Sequence, residues 1–438
     1  MNLETADRRH LWHPYTRIAD PWEEPFPVMI KGEGTRLTDS RGREYYDGIS
    51  SWWCVNLGHS RRELVNAIAE QASRLQHSIT GGLSHRRAIE AAWKLAGIAP
   101  DGLDRVYFAS DGASAVESSL RIALQYWWNT GKPKKKNFIS LEGGYHGDTL
   151  GAVGLGYLEK FHAPLKHLVN RSMQSPSPHC FHCPWGMEPE TCSIKCFTPM
   201  KELVEKHAET TAAVVIEPVC QGAAGIRIYP EEYVRKLRKL CSDSNVLLIL
   251  DEIAVGFGRT GKLFASDLAG VSPDILVVGK SLTGGYLPMS AAVVSDRIYE
   301  AFRNSNDMDR TFYHGHTFSG NPLAAAAACA TMDVFENDQV LRRHSGGAKL
   351  LQKAFSDFGS ISGVHGTAVK GWMSSLEISP SAGGAKTASE AASRAMETGL
   401  LIRPLGPVLY LWPPLVTPEG EMADMLSIFR DSLLSALS

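Results

Sequence analysis

Val246-Leu247-Leu248-Ile249-Leu250-Asp251-Glu252 is followed by the glycine-punctuated loop Gly256-Phe257-Gly258-Arg259-Thr260-Gly261, and then by Ile275-Leu276-Val277-Val278-Gly279-Lys280-Ser281. Two unbroken runs of Val, Ile and Leu, each stopped by polar residues, read as strands covered on both faces, as in a parallel sheet. An open α/β sheet binds its ligands beyond the carboxyl ends of its strands. A carboxylate, Asp251, and an amine, Lys280, are therefore expected there, just past two consecutive buried strands.

That pair suits pyridoxal 5'-phosphate (PLP), which needs a lysine amine to bond it and a carboxylate to keep its pyridine nitrogen protonated. The same two residues also fit an unremarkable Asp and Lys on the surface at strand ends. The surrounding chain has to separate the two readings.

Composition excludes several classes. The 438 residues are 44% hydrophobic and 21% charged, an ordinary globular balance. A net charge of −2 gives no electrostatic case for nucleic acid or an anionic membrane. The first ten residues hold no apolar core and no cleavage site, and no run of about 18 apolar residues follows anywhere. A cytoplasmic protein with small-molecule partners is expected. Of the eight cysteines, Cys180, Cys183, Cys192 and Cys196 cluster in a Pro-, His- and Cys-rich excursion over 157–200. Their spacing is compatible with a zinc knuckle, or with reduced thiols in a long loop. No catalytic metal is expected.

Outward from the central stretch, the chain divides into 1–60, 61–330 and 331–438. The first part holds short strands around Val28–Ile30 and Thr35–Asp39, a hairpin to Asp47, and Ser51-Trp52-Trp53. If the last is extended, the two indoles point to opposite sides, and one of them faces a cavity or a partner. In the middle part, helices are expected over 61–80 and 86–97. Then come the strand Val106–Ala109, a small-residue turn at Gly112 and Ala113, and a helix to Trp128. A strand, a tight turn and a helix N-terminus make an anion site. Tyr145, beside glycines at the end of Asn137–Ser140, could stack on a flat ring. Ala213–Ile216 precedes Glu217-Pro218, and an alanine-rich helix follows Pro322. The last part reads as α+β, with helices near 340–358, 387–398 and 418–436 and strands at Trp372–Ile378 and Val408–Trp412.

The segments LILDEIAVGFGRTG (248–261) and VVGKSLTGGYLP (277–288), with the order Gly112, Tyr145-His146-Gly147, Glu217-Pro218, Asp251, Lys280 and Thr317, resemble the class III aminotransferases over nearly the whole chain. The resemblance implies PLP fold type I. That is an α/β large domain (61–330) with a mixed, mostly parallel sheet, and a smaller α+β domain built from both termini. It implies that Lys280 bonds the cofactor and shuttles a proton, Asp251 pairs with the pyridine nitrogen, and Tyr145 stacks on the ring. Gly112 and Ala113 would hold the phosphate, with Thr317 supplied by the second subunit of a homodimer. His13-Pro14-Tyr15-Thr16, Ser51-Trp52-Trp53, His314 to Pro322 and Leu401 to Pro414 are similar to the biotin-pathway branch. That branch implies 8-amino-7-oxononanoate as amino acceptor. Tyr15, Trp52, Trp53 and Gly315 would line its pocket, Arg403 would take its carboxylate, and Asp148, Arg259 and Tyr410 would stand behind them. Trp52-Trp53 is similar to users of adenosylmethionine as donor, and His314-Gly315-His316-Thr317 to users of lysine. A class III enzyme acting on another ω-amine, or a metal-dependent binding module built on the four cysteines, are the alternatives.

Overall fold

A computed structural model describes residues 2–16, 18, 26–188, 191–304 and 309–438. Its centre is a seven-stranded sheet built from β1 (Leu103–Ala109), β2 (Asn137–Leu141), β3 (Met173–Ser175), β4 (Thr211–Ile216), β5 (Leu247–Asp251), β6 (Ile275–Val278) and β7 (Ser290–Ser295), in the order β1-β7-β6-β5-β4-β2-β3. β6, β5, β4, β2 and β3 run parallel, and β7 is reversed between β1 and β6. The three innermost parallel strands are buried at every residue, which is why their sequence is apolar without alternation. Helices cover both faces. Gly112–Asn129 lies on one, its N-terminus capped by the Asp111 side chain on Ser114 N. The alanine-rich helix Pro322–Asn337 packs against Arg62–Arg74 and Arg86–Ile98, and its small side chains allow that close approach.

The two ends of the chain share a second core. Met29–Glu33, Arg36–Asp39 and Glu44–Asp47 form an antiparallel ribbon. Its last strand pairs in parallel with Leu400–Leu401, Leu400 facing Tyr46 and Leu401 facing Asp47. A three-stranded antiparallel sheet, Val364–Lys370, Met373–Ile378 and Val408–Leu411, lies under helices Ser345–Phe358, Ala385–Glu397 and Glu419–Leu437. Tyr46 from the first ribbon is buried with Leu351, Phe355, Leu400 and Phe429.

The sequence reading needs four corrections. The helix expected over 61–80 ends at Arg74, where the Gln71 side chain donates to the Leu75 carbonyl. The helix near 340–358 is broken at His344. Val364–Lys370 is a strand that was not expected, because His-Gly-Thr interrupts its apolar pattern and it is only half-buried. Ser50-Ser51-Trp52-Trp53 is no strand but a left-handed turn, with φ of 50°, 46°, 74° and 72°.

Candidate active site

Asp251 is the last residue of β5 rather than the first beyond it. It lies opposite Val277, so Lys280 follows three residues past that pairing on the adjacent strand. Neighbouring strands lie ~4.8 Å apart, and the register alone brings the acid and the amine to one edge of the sheet. Both border a cavity of about 540 Å³. Asp251 Oδ1 accepts from Ile253 N at 3.1 Å, and Oδ2 meets His146 Nδ1 at 2.8 Å. Both side chains of that ion pair are almost wholly buried. Burial alone would push the imidazole down, but the bonded Asp251 carboxylate and the nearby Glu217 hold it above its ordinary value. His146 is thus favoured in its protonated form against the Asp251 side chain. Burial pushes the Lys280 amine below its ordinary value, with Asp251 and Glu217 opposing.

Glu217, just past β4, forms the floor. It accepts from Tyr145 N at 3.0 Å and from Gly222 N at 2.9 Å, and burial pushes it up to about 7. At one end of the cavity stands the N-terminus of helix Gly112–Asn129. The Asp111 side chain takes Ser114 N and its carbonyl takes Ala115 N, while Gly112 and Ala113 line the cavity. This end is packed so closely that only glycine fits beside it. A Cβ on Gly147 would lie 2.3 Å from Ala113 Cβ, and one on Gly112 would lie 3.0 Å from Ile253 Cδ1.

The opposite side is aromatic. Trp53 is 3% exposed, and Lys280 Nζ sits 5.4 Å from its ring centroid. The indole stacks on Trp412 at 5.2 Å and meets Tyr410 edge-on at 6.2 Å. Trp52 stays partly exposed with the Arg403 guanidinium 4.4 Å above it and Tyr15 edge-on at 5.7 Å. Tyr15 and Tyr145 both donate to Asp148 Oδ2, at 2.7 and 3.0 Å. Burial raises both phenols, so they remain protonated donors.

The left-handed turn that carries both indoles is clamped from several sides. Buried Asp47 accepts from Ser51 N at 2.8 Å and Ser51 Oγ at 2.7 Å. Ser50 Oγ donates to the Trp412 carbonyl at 2.7 Å. Arg259, fully buried, donates to Ser50 Oγ and to Asn56 Oδ1, both at 2.9 Å, and to the Pro413 carbonyl at 2.5 Å. Burial lowers the Arg259 guanidinium to about 9. Ser281, beside Lys280, donates to Asn56 Oδ1 and to the Trp53 carbonyl. The lysine turn and the tryptophan turn are therefore held by one network.

Thr317 and Gly315 are exposed in a loop and do not border the cavity of their own chain. The loop is tied down by Tyr107 Oη, which donates to the His314 carbonyl at 2.8 Å, and by Ser118 and His314 side chains 3.0 Å apart. Asn56 and Trp412 were given no role from sequence, and His146 and Glu217 were named in the order that carries the resemblance but given no role either. Glu217 had the same signal as Asp251, a carboxylate ending an unbroken apolar run. His146 had only its place beside Tyr145.

A buried acid with a proton held behind it, a desolvated amine, a helix N-terminus and aromatic faces converge on one cavity. That donor set fits PLP, whose ring nitrogen Asp251 would take, with Tyr145 against its face, Gly112 and Ala113 at its phosphate and Lys280 at its carbon. The family pattern described as Aminotransferase class-III matches residues 18–433. The chain belongs to the class III aminotransferases. Its cofactor is pyridoxal 5'-phosphate. The adenosylmethionine-8-amino-7-oxononanoate aminotransferase of Geobacter sulfurreducens is 40% identical over 98% of this chain and 97% of its own length. The crystal structure of the enzyme of that name from Methanocaldococcus jannaschii has a TM-score of 0.92 at 35% identity, covering 99% of this chain and 98% of that one. An amine transaminase from an uncultivated Pseudomonas species, solved with PLP bound, has a TM-score of 0.91 at 33% identity, covering 98% and 99%. Among the described residues of this aminotransferase, no helix is long and apolar enough to cross a membrane.

Proposed function

We propose that this aminotransferase moves an amino group onto the ketone of 8-amino-7-oxononanoate, giving 7,8-diaminononanoate, with adenosylmethionine as donor. It would act as a cytoplasmic homodimer. The observation that carries the reading is the aromatic group beside Lys280: Trp53 lies 5.4 Å from its amine, and the adjacent Trp52 meets Tyr15 edge-on and the Arg403 guanidinium 4.4 Å above its ring. A long aliphatic chain suits such walls, and a carboxylate at its far end suits a bidentate Arg. A sulfonium donor would gain cation–π attraction from the same rings.

Bound PLP supplies the electron sink that makes a carbanion beside nitrogen tolerable. The Lys280 amine, driven toward neutrality by burial, takes a proton from substrate carbon and returns it, a task worth about 10²–10⁴ in rate. Asp251 would pair with the pyridine nitrogen, and His146, bonded to it at 2.8 Å, would orient its carboxyl group. Tyr15 and Tyr145, both held by Asp148, would orient the incoming amine. Gly112 and Ala113 would hold the phosphate, Thr317 of a second copy would complete that end, and Gly315 would line the acceptor's pocket. One site serves two substrates in turn, a ping-pong scheme. The sequence His314-Gly315-His316-Thr317 keeps lysine as the alternative donor.

The test is to titrate the yellow holoenzyme with adenosylmethionine and with lysine, and then to add the oxo acid. Adenosylmethionine should bleach the cofactor band and the acceptor restore it. Bleaching by lysine alone would reassign the donor, and no recovery with the oxo acid would refute the acceptor. Lys280→Ala should lower turnover at least about 10²-fold while the protein stays folded.

A further inference from the structure

The excursion before helix Thr198–His207 carries chemistry that amino transfer does not use. Cys180-Phe181-His182-Cys183 and Cys192-Ser193-Ile194-Lys195-Cys196 bring four half-buried cysteines around one cavity of about 20 Å³, with His179 and Lys195 at its edge. A cavity needs roughly 10–15 Å³ to hold one water-sized particle, so this one takes a single ion and no organic molecule. We propose that Cys180, Cys183, Cys192 and Cys196 bind one zinc ion in a closed, tetrahedral, structural site.

Two observations support it. First, two short-spaced cysteine pairs line one small cavity and are the donor set of structural zinc; no three of their sulfurs lie within 4.8 Å of one another, so the ion would draw them together. Soft thiolates also favour zinc over magnesium or calcium. Second, Ser193 and Ile194, between the last two cysteines, both lie in the left-handed region, at φ of 49° and 57°. Isoleucine is rarely found there, and such strain persists only where surrounding bonds fix it. This turn closes with Lys195 N on the Cys192 carbonyl at 3.0 Å. On binding, four sulfur–zinc bonds form and the thiol protons leave to solvent. The doubly negative centre that results has Lys195 at its edge, and Lys236 Nζ lies 3.4 Å from the Ser193 carbonyl.

The site would act as a clamp. Phe181 packs on Gly366 of the small sheet, and His182 pairs with Glu377 at 2.8 Å. Ser177 bonds Gln221, whose neighbour Gly222 donates to Glu217 on the active-site floor. Closing the excursion on itself therefore fixes a bridge between the two sheets.

Holoenzyme purified without chelator and dialysed to constant composition should contain one zinc per chain by elemental analysis, measured separately from PLP absorbance. Cobalt-substituted protein should show thiolate-to-cobalt charge-transfer bands. Cys183→Ser and Cys192→Ser should each lower zinc affinity at least about tenfold, lower the melting temperature and abolish the cobalt bands. Substoichiometric metal with all four thiols open to titration, or disulfides among them, overturns the proposal. So does metal kept by Cys183→Ser but lost by His182→Ala, which would move the ion to His179, His182 and Glu377, whose donor atoms lie within 4.8 Å of one another. If the variants do not fold, the zinc content and cobalt spectrum of the wild type still decide.

Discussion

Asp47→Ala should loosen the wall of the active site from behind. A left-handed residue costs roughly 1–2 kcal/mol, so the turn Ser50–Trp53 stores about 4–8 kcal/mol across its four positive φ values. Hydrogen bonds to a charged group contribute about 1.5–3 kcal/mol each. Asp47 makes two of them to Ser51, so the substitution removes support comparable to the strain itself. The expected loss of stability is about 3–4 kcal/mol, limited by how far the turn relaxes. Trp53 should then swing off Lys280, and PLP affinity should fall at least about tenfold. Urea unfolding and absorbance titration with PLP read the two effects. Ser51→Gly supplies the decisive control. In wild type it relieves strain but loses a bond to a carboxylate, for a net loss of about 1 kcal/mol. In the Asp47→Ala background only the relief remains, less the extra chain entropy of glycine, for a net gain of about 0.5–1 kcal/mol. A Ser51→Gly effect of the same sign and size in both backgrounds would refute the account, since the carboxylate would then not be what balances the turn.

Three further outcomes are expected. Arg403→Ala should raise KM for the oxo acid about 10–100-fold, the worth of a charge-assisted hydrogen bond, while bleaching by the donor is nearly unchanged; equal loss in both half-reactions would remove Arg403 from the acceptor's carboxylate. Gly147→Ala places a Cβ 2.3 Å from Ala113 Cβ at a φ of +113°, and should cost at least ~2 kcal/mol and weaken PLP binding, whereas Gly81→Ala, which meets nothing within 4 Å, should be near neutral by thermal melting. Burial pushes both Glu217 and Glu252 up to about 7 from 4.5. The folded state therefore holds protons that the unfolded chain has released, so the contribution of these two groups to stability is fully present below about pH 4.5 and is lost as the pH rises through about 7. Glu252→Gln should flatten that slope in denaturation series at several pH values, even though its amide would face the Ala265 and Ser266 N–H groups that the carboxylate now accepts. A slope unchanged by the substitution would mean that Glu252 is ionised throughout.

The sheet was legible because strands buried on both faces leave an unbroken apolar record, and the residues that end them stand out. Asp251 and Lys280 were found in this way, and Glu217 could have been. The tryptophan pair misled for the opposite reason. Nothing in Ser-Ser-Trp-Trp favours left-handed backbone, and its conformation is imposed by Asp47, Arg259 and Trp412, all distant from it or silent in local pattern. His146 was hidden because one imidazole beside a tyrosine carries no period, and its meaning comes only from the carboxylate it meets across the cavity. Thr317 and Gly315 stand apart from the cavity in one chain, and no reading of local pattern could decide what they face.

The parallel pairing of Leu400–Leu401 with Tyr46–Asp47 joins the two ends of the polypeptide. During synthesis the ribbon emerges early but has no strand to lie against until Leu400 and Leu401, about 350 residues later, leave the ribosome. Asp47 is the residue at which that pairing meets the tryptophan turn. The pocket wall is therefore among the last parts to set, and a chain cut short before Leu400 would present a finished central sheet with an unfinished mouth.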